Sequence, residues 1–397
     1  MDYKCGRCPV SGKHVLLSGI FFIYLNAMCL SPSKLLTFGW IFFMCILLSC
    51  QEEPVEPTPQ PTPTPAPVDT SQQVSDTYTT EQFKVGDIGL EVHLPPAYDE
   101  NKRYPTLYCN DGDFFAEVFS RLTSLEVDPF IMVGLSASTS RGERFSAYED
   151  GDLTDTYGTF TPGAEAYTQA IVDEVIPFVE ARYKSTRRAL FGISLGGLHA
   201  TWTGIKYPNA FTFTAALSPS YWVGDRALFN ESLEDLRPSG LASPRAFYFD
   251  RGTAEWRNFV GLIDRFKAVE LDYGRNVYYY EVPGANHSSA FWQARIDIPL
   301  RLFLEGSSQA EIIGMELQTY CASDLDNPGS REPRINPIIS YDNGIKFSVM
   351  TEAAFSVTSG DGTVQSDGTY AINSGSRMTV SCSYGGFTES IEVRSCN

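Results

Sequence analysis

Residues 188–197 read Arg-Ala-Leu-Phe-Gly-Ile-Ser-Leu-Gly-Gly, a G-x-S-x-G-G stretch set between an apolar run and a helical pattern of Leu198, Ala200, Trp202 and Ile205. Glycines on either side of a serine let a strand and a helix approach closely, and the turn between them lifts the hydroxyl above the sheet. Ser194 is therefore a candidate nucleophile for acyl transfer. A hydroxyl at its ordinary pKa attacks poorly, so a base must reach it. His287, in the stretch Val-Pro-Gly-Ala-Asn-His that follows an expected last strand, is placed to be that base. His199, five residues after the serine on the same helix, is expected to pack or face solvent, and His93, inside an early strand, is expected to be structural. The acid that fixes the histidine tautomer should follow the strand Ala246–Phe249. That turn offers Asp250 and Glu255, and a Ser-His dyad without an essential acid is the third possibility. The oxyanion donors expected are the backbone N–H of Leu195 and one from the loop Asn110–Phe114, at Asp113 or its neighbour. Acyl transfer of this kind needs no cofactor. The four histidines, at 14, 93, 199 and 287, show no metal-ligand spacing with each other or with a cysteine pair, so no metal site is expected.

These side chains need a scaffold, and the pattern from about residue 77 to 306 supplies one. Short apolar runs at Leu90–Leu94, Thr106–Cys109, Phe130–Leu135, Arg188–Phe191, Thr212–Leu217, Ala246–Phe249 and Val277–Val282 alternate with amphipathic stretches. That alternation predicts an α/β fold with a largely parallel sheet and flanking helices. Between Tyr167 and Tyr183, a stripe of Ile171, Val175, Phe178 and Val179 has the spacing of a helix packed on that sheet. Past residue 306 the texture changes to short alternating strands at Phe355–Val357, Thr369–Ile372 and Met378–Cys382. Asp361-Gly362, Asp367-Gly368 and Gly385-Gly386 punctuate them as candidate hairpin turns of a small β-sandwich over 307–397. All the candidate catalytic residues precede residue 306, so the C-terminal body is expected to be dispensable for small-ester hydrolysis.

The chain has 397 residues, with 30 Lys and Arg against 48 Asp and Glu. Without the first 49 residues, which carry four bases and one acid, the net charge moves from -18 to -21. Such a surface repels phosphate backbones, which argues against a nucleic-acid partner. Residues 35–48 are a fourteen-residue apolar run, the length of a signal-peptide core and short for a membrane span. The run ends in Leu-Leu-Ser-Cys50, which resembles the lipobox of bacterial lipoproteins and implies lipidation of Cys50. A signal starting at Met28 has ordinary length, so residues 1–27 read as an upstream extension. Gln51-Glu52-Glu53 resembles the acidic export signal of Bacteroidetes lipoproteins. Residues 53–67 hold seven prolines, which predicts a stiff polyproline spacer within a tether over 50–76. The resemblances imply an outer-membrane lipoprotein at the cell surface or the periplasmic face. Export permits disulfides among Cys321, Cys382 and Cys396, with the pairing open.

Five stretches together resemble one family of α/β-hydrolases: 94–113 (LPPAYDENKRYPTLYCNDGD), 174–200, 207–222, DRGTAEW at 250–256 and GANHSSAFW at 284–292. That family includes enterochelin and salmochelin esterases, feruloyl and acetylxylan esterases, and the esterase D group. By the resemblance Ser194 matches the nucleophile, His287 the base and Glu255 the acid of a G-x-x-E motif. Arg144 resembles an arginine of the siderophore-esterase cleft, although the family's D-Y-T-P is replaced here by Phe145-Ser-Ala-Tyr148. Tyr221 and Trp222, after the S-P-S turn, are candidate cleft residues. The C-terminal pattern Gly362–Tyr370 and Val380–Gly385 resembles bacterial immunoglobulin-like domains. The implied activity is serine carboxylic-ester hydrolysis, on acyl esters of polysaccharides or on a siderophore trilactone. The reading of another class is an inactive surface-binding lipoprotein.

Overall fold

A computed structural model of the chain describes residues 78–116, 125–137, 140–158, 161–241, 245–255, 259–308, 310–323 and 331–396. The leader, Cys50 and the proline-rich tether lie outside the described residues. Eight strands form one sheet: β1 (Thr79–Val85), β2 (Ile88–Leu94), β3 (Tyr104–Asn110), β4 (Ile131–Ser136), β5 (Ser185–Ile193), β6 (Phe213–Leu217), β7 (Ala246–Gly252) and β8 (Val277–Val282). Their order is β1-β2-β4-β3-β5-β6-β7-β8. β1, β2 and β4 pair antiparallel, and every pairing from β4 to β8 is parallel. Parallel strands buried on both faces read as continuous apolar runs, which is why the six from β3 to β8 stand out in the sequence, joined by the largely buried antiparallel β2. β1 does not, because TTEQFKV is an edge strand that alternates with solvent.

Alternation along β5 divides the core into two layers. Leu190 joins Val133, Ile171, Val175 and Val179 on one side, and Ala189, Phe191 and Ile193 join Phe213, Tyr248 and Tyr278 on the other. The stripe over 167–183 is helical as expected, as Ala164–Ala170 and Ile176–Glu180 joined by a π turn at Ile171–Val175. The last helix of this layer, Asp297–Leu304, ends just before the C-terminal strands begin.

Those strands are β9 (Ile312–Ser323), β10 (Arg331–Tyr341), β11 (Lys346–Ser348), β12 (Ala354–Val364), β13 (Tyr370–Tyr384) and β14 (Phe387–Val393). They make two three-stranded antiparallel sheets, β11-β10-β9 and β12-β13-β14. Asp367-Gly368 and Gly385-Gly386 lie in the turns between paired strands. Asp361-Gly362 does not: it sits inside β12 opposite Ser374 and Ile372, where three register shifts absorb it as bulges. Cys321 is bonded to Cys396. Cys382 stays a buried thiol, its pKa raised to about 12 by burial.

The expectation of a dispensable C-terminal body does not survive the packing. Ile338, Ile339, Ile345, Phe347 and Val349 lie in the same buried cluster as Phe191, Phe213, Tyr278, Leu300 and Phe303 of the α/β sheet. The rings of Tyr278 and Phe347 meet edge-on at 5.3 Å. Burying a large apolar side chain contributes about 1.5–3 kcal/mol, so removing one side of this cluster strips several such contributions from the other. A chain ending at Gly306 is expected to be insoluble, or to melt well below the full chain when followed by circular dichroism. A soluble truncation melting cooperatively at the full-chain temperature would refute the shared core.

Candidate active site

Ser194 sits between β5 and the helix Leu195–Lys206 with φ 56° and ψ -119°, a strained left-handed turn for a residue with a side chain. The turn is held from both sides: Ser194 N–H donates to Leu217 O at 3.0 Å, and Ser194 O accepts from Ser220 N–H at 3.0 Å. Gly192 cannot be otherwise, since a Cβ there would stand 2.0 Å from Gly196 O. Leu195 opens the helix, where first-turn N–H groups lack intrahelical acceptors and can face a developing oxyanion.

The structure brings Ser194, His287 and Glu255 together. The Ser194 hydroxyl lies 3.0 Å from His287 Nε2, and His287 Nδ1–H donates to Glu255 Oε2 at 3.3 Å. Glu255 is held by its other oxygen, which accepts from Ser218 O–H at 2.6 Å and Gly252 N–H at 2.8 Å. Burial opposes ionisation of Glu255, but His287, the Ser218 hydroxyl and the Gly252 amide outweigh it, so its pKa falls below the ordinary value. The loops bearing Glu255 and His287 are laced to each other. Ala254 N–H donates to Ala285 O at 3.0 Å, and Gly284 N–H donates to Thr253 Oγ1 at 2.8 Å. Gly252 permits this approach, because a Cβ there would meet Ala285 O at 1.9 Å.

Asp250, the other candidate acid, is fully buried and occupied. Its oxygens accept from Arg295 Nε and Nη2 at 2.8 and 2.9 Å, from Ser218 N–H at 2.8 Å and from Tyr248 O–H at 2.9 Å. Arg295 Nη2 also donates to Ser218 Oγ at 2.7 Å, so Asp250 reaches Glu255 through Arg295 and Ser218. Ser218 and Arg295 carry no spacing signal in the sequence beyond the S-P-S turn that contains Ser218.

Two cavities flank Ser194. One of about 570 Å³ is lined by Asp111, Asp113, Phe114, Arg141, Ile193 and Trp292 among others. The second, of about 600 Å³, is lined by Ser218, Ser220, Trp222, Phe259, Asn286 and His287 among others. Trp292 meets the His287 ring edge-on at 4.9 Å and Phe114 at 6.0 Å. Asp113 thus lines the first cavity and Trp222 the second.

Two cleft candidates lie elsewhere. Arg144 lines neither cavity: it pairs with Asp87, donates to Ser136 O at 3.3 Å and lies over the Tyr167 ring. Arg141, one helical turn earlier, takes the cleft position and grips Asp111 with Nε and Nη2 at 2.6 and 3.0 Å. Tyr221 is fully buried, with its hydroxyl 2.5 Å from Thr201 Oγ1 and its ring against Phe249 and Phe259. Of two adjacent aromatics, one turned into the core. His199 is also internal, between Thr168 Oγ1 and Asn110 Nδ2, and burial lowers its pKa to about 3. His93 lies in β2 against Glu91 and Thr80.

Residues 84–297 match the model of the family described as "Putative esterase". Over 156 residues, the chain is 26% identical to an uncharacterized protein YbbA of Bacillus subtilis (37% of this chain, 62% of that protein). Over 248 residues it is 28% identical to endo-1,4-beta-xylanase Y of Acetivibrio thermocellus (54% of this chain, 21% of that protein). An 85-residue stretch is 35% identical to a siderophore enterobactin esterase of Emericella nidulans (20% of this chain, 28% of that protein). The chain thus spans less than two thirds of the length of each of these relatives.

Proposed function

The chain belongs to the putative esterase family; from that premise we propose that it is a serine ester hydrolase and that Ser194, His287 and Glu255 form its catalytic triad. The observation that carries this is the unbroken line from Ser194 Oγ through His287 to the ionised Glu255. Ser194 Oγ attacks the acyl carbon while His287 Nε2 takes its proton. The tetrahedral oxyanion is held by Leu195 N–H and by an N–H of the turn at Asp113. Collapse breaks the ester bond, with the His287 proton going to the leaving alcohol. Water, deprotonated by His287, then releases the acyl group and restores the serine.

The substrates proposed are acyl esters of polysaccharides, of acetyl or feruloyl type. One side of Ser194 offers the aromatic walls Phe114 and Trp292, and the other offers Trp222 among hydroxyl and amide groups suited to a sugar. Similarity to a xylanase supports this class. A siderophore trilactone is the second reading, supported by the enterobactin esterase stretch. Arg141 offsets Asp111 at the cleft, but the carboxylate of Asp113 and the net charge of -18 disfavour a strongly anionic ferric siderophore. Anchoring through a lipidated Cys50 at the outer membrane completes the proposal and suits a polymer that stays outside the cell.

The test combines a fluorophosphonate adduct with a substrate profile of residues 70–397. Mass spectrometry is expected to find the adduct on Ser194, and acetylated xylan or methyl ferulate is expected to turn over faster than enterobactin. An adduct on another serine would remove the triad, and a preference for enterobactin would reverse the substrate order. In cells the protein should follow the outer-membrane fraction, and Cys50→Ala should release it or block its maturation.

A further inference from the structure

We propose that the C-terminal strands are part of the catalytic apparatus, with Tyr320 of β9 a positioning residue that fixes Glu255 through Arg251. The proposal rests on Glu255 being the triad acid. Arg251 is 1% exposed, at the end of β7, four residues before Glu255. Its guanidinium donates in three directions. Nη1 reaches Glu255 O at 2.9 Å, Nη2 reaches the Tyr320 hydroxyl at 3.3 Å, and Nε reaches Tyr279 and Glu281 Oε1 at 3.2 and 3.3 Å. The Tyr320 ring also stands under the guanidinium at 5.6 Å. A buried guanidinium holds its orientation only where each arm has an acceptor, because an unpaired N–H there is costly. Tyr320 supplies the outermost acceptor, and the arm beside it grips the backbone of the catalytic acid.

The base is rooted in the same place. Arg251 and Glu281 face each other across β7 and β8, and Glu281 lies six residues before His287. Glu281 N–H donates to Ser348 Oγ at 2.9 Å, and Asn336 Nδ2 donates to Glu281 O at 2.8 Å. Tyr320, Asn336 and Ser348 belong to β9, β10 and β11 in turn. The loops of acid and base therefore both spring from one buried clamp that the C-terminal strands close. The His287–Glu255 contact of 3.3 Å is already at the long end of a hydrogen bond, so a small drift of the Glu255 backbone breaks it.

Steady-state hydrolysis of p-nitrophenyl acetate by the full chain tests this. Tyr320→Phe keeps the ring over Arg251 and removes the acceptor. It should lower kcat about tenfold with KM within about twofold and the melting temperature little changed. In a Glu255→Gln background the same substitution should change kcat by less than about twofold, because the group it positions has gone. Ser348→Ala, on the His287 side of the clamp, should show the same split between kcat and KM. Unchanged kcat in both single variants overturns the proposal, as does an equal fall from Tyr320→Phe in both backgrounds. If Glu255→Gln keeps full kcat the triad reading fails. If Glu255→Gln is crippled and both clamp variants are normal, only the present inference fails.

Discussion

Ser194→Ala is expected to lower kcat on p-nitrophenyl acetate on the order of 10^6-fold while the protein remains folded. On the proposed mechanism the size follows from what would remain: cavities to bind the ester and donors to polarise its carbonyl, with no atom to form the acyl-enzyme. His287→Ala should cost nearly as much, since Ser194 Oγ has one basic nitrogen within reach, 3.0 Å away. The two losses should not add, because the groups act as a unit. A Ser194→Ala enzyme retaining more than about a hundredth of kcat would show that another nucleophile carries the reaction. Removing Ser194 also relieves no backbone demand, since alanine meets the same positive φ; circular dichroism should be unchanged.

Glu255→Gln is expected to lower kcat about 10^4-fold, and Asp250→Asn far less. The ranking follows from the partners. Oε1 of Glu255 accepts from Ser218 and Gly252, so a glutamine must place its carbonyl oxygen there and turn its NH2 toward His287 Nδ1. That forces Nδ1 to be the acceptor and puts the ring proton on Nε2, which then cannot take the proton from Ser194. Asp250→Asn leaves the His287–Glu255 bond in place but removes the charge opposite the buried Arg295. Its principal effect should be a lowered melting temperature, because breaking a buried pair costs about 3–5 kcal/mol. The reverse order of kcat values would assign the acid to Asp250.

Much of this was legible beforehand, for reasons that differ by residue. Fully buried parallel strands announce themselves as apolar runs, and a serine bracketed by glycines between a strand and a helix has few other geometries available. Spacing alone left Asp250 and Glu255 both open, because one turn contains both, and only the resemblance to the G-x-x-E motif favoured Glu255. In the structure Arg295, forty-five residues after Asp250, occupies both Asp250 oxygens, and no spacing pattern foretells that partner. Arg141 and Arg144 are three apart on a short helix, and only the position of Asp111 draws the first into the cleft. Tyr221 and Trp222 have the same composition signal, and the neighbouring rings of Phe249 and Phe259 decide which is internal. The strands β9 to β11 were not singled out in the sequence, and β10 shows no alternation because it is buried continuously over residues 334–339. Tyr320 carries no motif, and although Arg251 lies within DRGTAEW, nothing in that stretch points to a partner 69 positions away.

The shared cluster of Tyr278, Leu300 and Phe303 with Ile338, Ile339 and Phe347 also has a temporal meaning. Synthesis runs from the N-terminus, so Ser194, Glu255 and His287 all emerge before the strands that cover the far side of their sheet. Until the stretch around residues 338–349 arrives, the nascent hydrolase has an open flank and cannot complete its own interior. A chain interrupted before residue 338 is therefore expected to leave that apolar face uncovered and to be cleaved by added protease faster than the full chain.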